Sequence, residues 1–470
     1  MSLVPYELIS SDSDEGHPVA EPWKIGMFQC AGLMGSWKLP ENRSTQFLDL
    51  GHWIRMAQQL EDAGVDFLFF ADDYGYPVVD DGIPATAIRG GVQFPKGDPT
   101  MILPALAAVT SRLGLVTTLS TQVELPAMVA RKMSTLDNLT GGRIGWNIVT
   151  GAGQNASARL FGRALTDHDK RYEIADDHVD LSLKLWEGCW DDGALRKDRE
   201  GGVYADPEGV REIVHEGPHF RSNGVLQVPP GPQRTPVLFQ AGASAPGRAL
   251  AAKYAEAVFL AAEVDALTAQ IADIRRLADA NGRDGSAISC LIAGTFVVAE
   301  TTEEAERIRA RQTATKSLDD AAAQYAFFTG LDLSKMDPDR PLDPSAGLTQ
   351  TGRTNVERFL GPDAPTVREI LEEFQANSVM GKPFVGTPAE VVDQAADVLA
   401  RTGANGFLVQ PDHTGTFDSF VELVMPELRR RGLAGHQEEG ETLRERLTGG
   451  SAHLAPSHPG AAYRRSTALV

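Results

Sequence analysis

Cysteine is scarce: Cys30, Cys189 and Cys290 are the three in 470 residues, too few and too dispersed for a disulfide framework, and none forms a CxxC pair. Reduced thiols in a cytoplasmic protein are the expectation. A hydrophobic run of transmembrane length is also missing, and Ser10-Ser11-Asp12-Ser13-Asp14-Glu15 stands where a secretory leader would carry a basic and then an apolar region. Positive charge is short as well. Against 64 Asp and Glu there are 44 Lys and Arg, and the resulting −20 disfavours nucleic acid and anionic membranes, both polyanions. The ten histidines never assemble at ligand spacing and HExxH is absent, so no metal site is expected. What these absences leave is a soluble protein with a small-molecule partner.

What is present is a core and a rhythm. Hydrophobic residues make up 42% of the chain, enough for a large α/β barrel with insertions or for two ordinary domains. Short apolar runs alternate with helical periodicity. Ile25–Cys30, Asp66–Ala71, Leu113–Ser120, Arg143–Val149, Pro236–Ala241, Ala257–Leu260, Leu291–Val298 and Gly406–Gln410 read as eight strands, most of them followed by a helix. β-then-α order implies parallel strands joined by crossovers, and eight such units suit a closed barrel better than an open sheet. The predicted class is α/β, a (β/α)8 TIM barrel over 24–435, with polar tails at 1–23 and 436–470. Thr387-Pro388-Ala389-Glu390, Thr366-Val367-Arg368-Glu369 and Thr301-Thr302-Glu303-Glu304 read as helix starts with capping boxes. Gly- and Pro-rich insertions near 188–234 and 313–365 interrupt the rhythm. In barrels such insertions usually extend the loops around the active site. Their aromatics, including Tyr204, Phe220, Tyr325, Phe327 and Phe328, either cover that site or pack the insertions onto the barrel.

Several motifs carry chemical readings, each beside a plainer one. Gly151-Ala152-Gly153-Gln154-Asn155-Ala156 satisfies GxGxxA, but that fingerprint belongs to the first βα turn of a dinucleotide domain, and here four strands precede it. Gly242-Ala243-Ser244-Ala245-Pro246 has Pro246 where a hydrolase elbow needs glycine. A small-residue turn running from a strand into a helix suits a phosphate, with Ser244 contributing its hydroxyl, although Ser244 as a mere N-cap reads equally well. Asp72 directly follows a strand, where a barrel presents its catalytic mouth; it also suits a cap or turn. Strand alternation sends Asn147 toward that mouth, and Thr118 invites the same argument, with turn chemistry as the alternative.

Phe70-Ala71-Asp72-Asp73, Leu136-Asp137-Asn138-Leu139-Thr140-Gly141-Gly142-Arg143, Gly145-Trp146-Asn147-Ile148-Val149-Thr150, His168-Asp169-Lys170-Arg171-Tyr172, His215-Glu216-Gly217, Val237 through Ser244, Val385-Gly386-Thr387-Pro388 and Val424-Met425-Pro426-Glu427-Leu428 follow one another in the chain. Together they resemble the luciferase-like flavin-dependent monooxygenases, in particular the nitrilotriacetate, dimethylsulfide and dibenzothiophene-sulfone group, over roughly Ile25 to Leu447. The resemblance implies a barrel that takes FMN as a diffusible co-substrate (FMNH2), reduced by a separate NAD(P)H:flavin reductase. Reduced FMN then activates O2, one atom entering a small organic substrate and the other leaving as water. It further implies flavin contacts at Asp72, Thr118, Asn147, His168, Tyr172 and Ser244, with Tyr172 and Ser244 near the phosphate, and a homo-oligomer. Two other outcomes share the fold: hydride transfer with the deazaflavin F420, or a non-catalytic flavin-binding subunit. Ser36-Trp37-Lys38-Leu39-Pro40 keeps the family's early tryptophan, whereas Glu124-Leu125-Pro126-Ala127 lacks its aromatic; both belong to regions expected to shape the substrate pocket.

Overall fold

The computed structural model describes residues 21–465 apart from 34–36, 81, 152, 344, 346–355, 357–358, 377–382, 412–413, 436 and 439. Eight parallel strands close a barrel: β1 (Lys24–Cys30), β2 (Phe67–Ala71), β3 (Gly114–Ser120), β4 (Ile144–Val149), β5 (Val237–Gln240), β6 (Ala257–Leu260), β7 (Ser289–Gly294) and β8 (Gly406–Val409). Each pairs with its sequence neighbour, and β1 pairs with β8 to complete the ring. All eight expected strands are present. The run Leu291–Val298 divides in two, because Phe296–Val298 leaves the barrel and pairs with Phe384–Gly386.

These strands are apolar on both faces, as strands must be when helices cover one side and the barrel interior the other. Phe67, Phe69, Val116, Val237, Phe239, Phe259, Leu291 and Leu408 fill the interior, while Leu68, Phe70, Leu115, Trp146 and Ile148 face the helices. Glycine supplies the room for those rings. A Cβ on Gly26 would stand 2.3 Å from the Phe67 ring, and one on Gly145 would stand 2.8 Å from Phe239. The outer layer includes α1 (Leu50–Ala63), α2 (Pro126–Thr140), α3 (His168–Gly188), α4 (Ala245–Tyr254), α5 (Val264–Ala280), α6 (Thr302–Thr315), α7 (Leu318–Thr329) and α8 (Pro388–Thr402). Local signals set their ends: Asp49 caps α1 and left-handed Gly64 stops it, while Thr387 and Glu390 form the expected capping box on α8.

Two expectations are corrected. The C-terminal segment, read as a polar tail from 436, is packed structure in its described residues: helix α9 (Leu443–Thr448) plugs the bottom of the barrel with Leu443 and Leu447. Arg444 is buried there against Glu256 at 2.6 Å and donates to the backbone carbonyls of Gln233, Thr235 and Pro236. Composition gave no warning, since Arg444 and Arg446, which help this stretch look like a tail, are buried and paired with Glu256 and Glu441. The insertion at 188–234 is no lid. It joins the end of α3 to the start of β5, both at the bottom of the barrel, and its two hairpins, Leu195–Ala205 and Ile213–Gly224, pack there and along α3. Of the N-terminal tail, 1–20 lie outside the described residues, while Trp23 is buried against Phe407, with ring centroids 5.7 Å apart. Among the described residues no helix is long and apolar enough to cross a membrane.

Candidate functional site

The mouth lies at the C-terminal ends of the strands. Thr118 and Asn147 stand side by side on β3 and β4, at inward positions two residues beyond Val116 and Gly145. Thr118 Oγ1 donates to the Phe70 carbonyl at 2.8 Å, and Asn147 Nδ2 donates to Thr118 Oγ1 at 2.9 Å. That leaves Asn147 Oδ1 buried with no donor among the described residues. A buried acceptor without a partner is costly, and a ligand N–H would satisfy it.

Asp72 follows the end of β2. Burial, reinforced by the Asp73 carboxylate and opposed by Lys96, pushes its carboxyl up to about 7. Lys96 itself is bound to Asp73 at 2.6 Å and lies under the Phe327 ring, 5.0 Å from its centroid. Asp72 therefore carries a proton for part of the time at neutral pH, and as an acid it donates where a carboxylate only accepts.

Tyr172 and Ser244 meet from separate elements. Ser244, N-cap of α4, accepts from Gly247 N at 3.3 Å and donates from Oγ to the Tyr172 hydroxyl at 3.2 Å. The cap reading of Ser244 therefore holds, and the same hydroxyl meets that of Tyr172. The turn before it folds back tightly, since a Cβ on Gly242 would lie 3.1 Å from Gly247 Cα and 3.2 Å from the Tyr172 hydroxyl. His168, one helical turn before Tyr172, has its ring 5.3 Å from the tyrosine ring and its Nδ1 2.8 Å from Asp169. Arg248, close by, is matched by Asp273 at 2.6 Å. Arg171, next to Tyr172, has buried Nε and Nη1 atoms with no partner among the described residues, a cation that strand and helix reading passed over. In the glycine-rich stretch after β4 the lack of a side chain permits close approach: a Cβ on Gly153 would stand 2.7 Å from Gly75 Cα.

Other motifs in the resemblance are structural. Asp137 accepts from Gln233 N at 2.9 Å and from its side chain at 2.8 Å, and Arg143 donates to carbonyls and Thr110 around the base of β3. His215 is buried against Asp177 at 2.9 Å on α3. Glu124 is held by Lys132 at 2.9 Å.

Beside the flavin candidates lies a cavity of about 220 Å³, walled by the ends of β1 and β8, by the 90–96 stretch, and by α7. None of the six candidate contacts lines it; Trp37, Lys96 and Gln410 do. The second insertion does stand over the mouth. Within it Tyr325 packs with Phe359 and Phe374, and Phe327 covers Lys96, whereas Tyr204 of the first insertion is exposed and Phe220 packs on His178 away from the cavity. The long 72–100 connection, which sequence reading did not single out, supplies much of the wall. Its only sequence signal was length after a strand. Among the described residues no group of three or more His, Cys, Asp or Glu is placed to hold a metal.

Residues 32–406 match the family model described as luciferase-like monooxygenase. The long-chain alkane monooxygenase of Geobacillus thermodenitrificans is 39% identical over 450 residues, covering 94% of this chain and 97% of that one. The dimethyl-sulfide monooxygenase of Hyphomicrobium sulfonivorans is 35% identical, over 92% of this chain and 90% of its own. A riboflavin lyase crystallised with modified FMN and riboflavin superposes with a TM-score of 0.89 at 40% identity, covering 95% of this chain and all of that one. With the closed barrel and matches of this extent, the chain belongs to the luciferase-like monooxygenase family.

Proposed function

We propose that this chain is the oxygenating component of a two-component system, taking FMN reduced by a separate NAD(P)H:flavin reductase and placing one oxygen atom of O2 in a small organic substrate. The observation that carries this reading is the unpartnered Asn147 Oδ1 beside Thr118, at the inner end of the mouth. A flavin ring offers the N–H that this acceptor lacks. Thr118 and Asp72 complete the polar edge around the ring, with protonated Asp72 as donor. At the outer end, the Tyr172 and Ser244 hydroxyls and the Ala245 N–H, free of the helix ladder, hold the phosphate, with His168 at its solvent side. Neutral donors at a helix N-terminus suit a dianion in a chain of net charge −20.

Bound there, reduced flavin supplies the oxygen-activating chemistry that no side chain here possesses. The protein's own work is to fix the ring by Asn147 and Thr118, to hold the substrate beside it, and to keep water out with Phe327 and the packed insertion. The names of two relatives, a long-chain alkane and a dimethyl-sulfide monooxygenase, support oxygenation at carbon or sulfur. The test is an FMN titration of wild type and Asn147→Leu, followed by oxygen uptake with FMN, NADH and a flavin reductase across candidate substrates. Binding of FMN that weakens at least tenfold in the variant, with substrate-dependent uptake and mass gain of one oxygen, is the expected result. Failure to bind FMN, or turnover only with F420, refutes it.

A further inference from the structure

The cavity beside the flavin candidates has a composition that restricts what it can hold. Phe28, Trp37, Val92, Phe94 and Phe374 make its walls largely apolar. Two of its lysines are matched by carboxylates, Lys38 by Asp320 at 2.8 Å and Lys96 by Asp73 at 2.6 Å, and Lys316 is itself engaged. Two further polar side chains are also engaged. Trp37 Nε1 donates to the Gly90 carbonyl at 2.6 Å, and Gln93 Nε2 reaches Gln324 Oε1 at 3.4 Å.

One donor remains. Gln410 is 8% exposed, lines the cavity, and its Nε2 has no acceptor among the described residues. It follows Leu408 by two residues, so it shares the inward face of β8 with a side chain of the barrel interior and reaches the mouth from the strand's end.

Building on the function proposed above, we infer that the substrate is an uncharged molecule with an apolar carbon body and one carbonyl oxygen, and that Gln410 sets this specificity by donating from Nε2 to that oxygen. A plain hydrocarbon fills the walls but leaves the buried amide unpaired, and sites built around one hydrogen bond reject ligands that lack it far more strongly than they sort hydrocarbons by size. A carboxylate fares worse, because it must shed its water where every cation already has a partner. A carbonyl held at the end of β8 also anchors the molecule at one point, and so fixes which of its atoms faces the flavin.

Acetophenone, ethylbenzene and benzoate are matched probes of ketone, hydrocarbon and anion. Their binding to the full chain without flavin is measured by ligand-observed NMR, with FMN titrated separately. Wild type is expected to bind acetophenone about tenfold or more tightly than ethylbenzene, with benzoate weakest. In Gln410→Leu the ketone preference is expected to vanish and ethylbenzene to bind at least as well as before, with FMN affinity unchanged. Equal binding of ketone and hydrocarbon by wild type, binding of none of the three, or a preference that survives in Gln410→Leu overturns the inference. So does a tenfold loss of FMN affinity, which would make Gln410 a flavin contact. Since the comparison within wild type needs neither the variant nor flavin, a ketone preference without oxygenation would sink the oxygenase reading alone.

Discussion

At the scale of single residues, the site is built from groups whose partners are missing or altered by burial. Asn147 has an acceptor to spare, Gln410 a donor, and Asp72 a proton that an ordinary aspartate would have lost. For Asp72 the sign of the pH effect follows from the raised carboxyl. The folded protein keeps the proton that the unfolded chain gives up near 3.8, so the group's contribution is fully present below that value and is lost as pH rises to about 7. Urea midpoints of wild type and Asp72→Asn at pH 5 and pH 8 test this. The variant should gain relative to wild type by at least about 1 kcal/mol at the higher pH; a gap that does not change with pH would place the carboxyl in its ordinary range. Residue type and strand position were enough to single out Thr118 and Asn147, because alternation along a buried strand decides which face a side chain takes. Gln410 escaped notice for the opposite reason: a glutamine at a strand end is unremarkable until its partners can be counted.

At the scale of elements, the start of α4 joins two jobs. Ser244 closes the helix by accepting from Gly247 and reaches across to Tyr172 on α3. Substituting Ser244→Ala removes both contacts. The expected outcome is a loss of about 1 kcal/mol in unfolding free energy, as for other N-caps. FMN affinity should fall roughly tenfold, with riboflavin, which lacks the phosphate, bound as before. Isothermal titration with the two flavins separates these effects, and equal weakening of both would take the phosphate away from Ser244. Elements were also where reading the sequence succeeded most fully and failed most instructively. Eight strands and the capping boxes at Thr366 and Thr387 are local patterns of apolar period and hydrogen-bonding side chain, so they survive into the fold, whereas Thr301 caps its helix without the return bond from Glu304. The two insertions look alike in composition, yet the first joins the end of α3 to the start of β5, whereas the second lies within the connection that leaves the end of β7 and returns to β8. That difference in connection sends the first to the bottom of the barrel and the second over its mouth.

At the scale of the whole molecule, the C-terminal segment is the closing piece. Arg444 and Glu256 are 188 positions apart in the chain and 2.6 Å apart in space. Burial on its own would raise the Glu256 carboxyl, but the guanidinium beside it outweighs burial and holds it below its usual range. Arg444→Ala would leave that carboxylate unpaired in the core, and a loss of about 3–5 kcal/mol on chemical denaturation is expected. A loss under 1 kcal/mol would mean that α9 adds little to the barrel it plugs. The sequence alone determined the parallel barrel, its order of strands, the helix ends and the family motifs, because these rest on short-range periodicity and on residues adjacent in the chain. Only the tertiary structure decided that a charged tail is a plug, that Lys38 and Lys96 of the cavity are already paired with carboxylates, and that one glutamine is left with a buried donor to offer. Those facts depend on which distant groups the closed barrel brings together, and charge pairing and burial are properties of that assembly rather than of any stretch of chain.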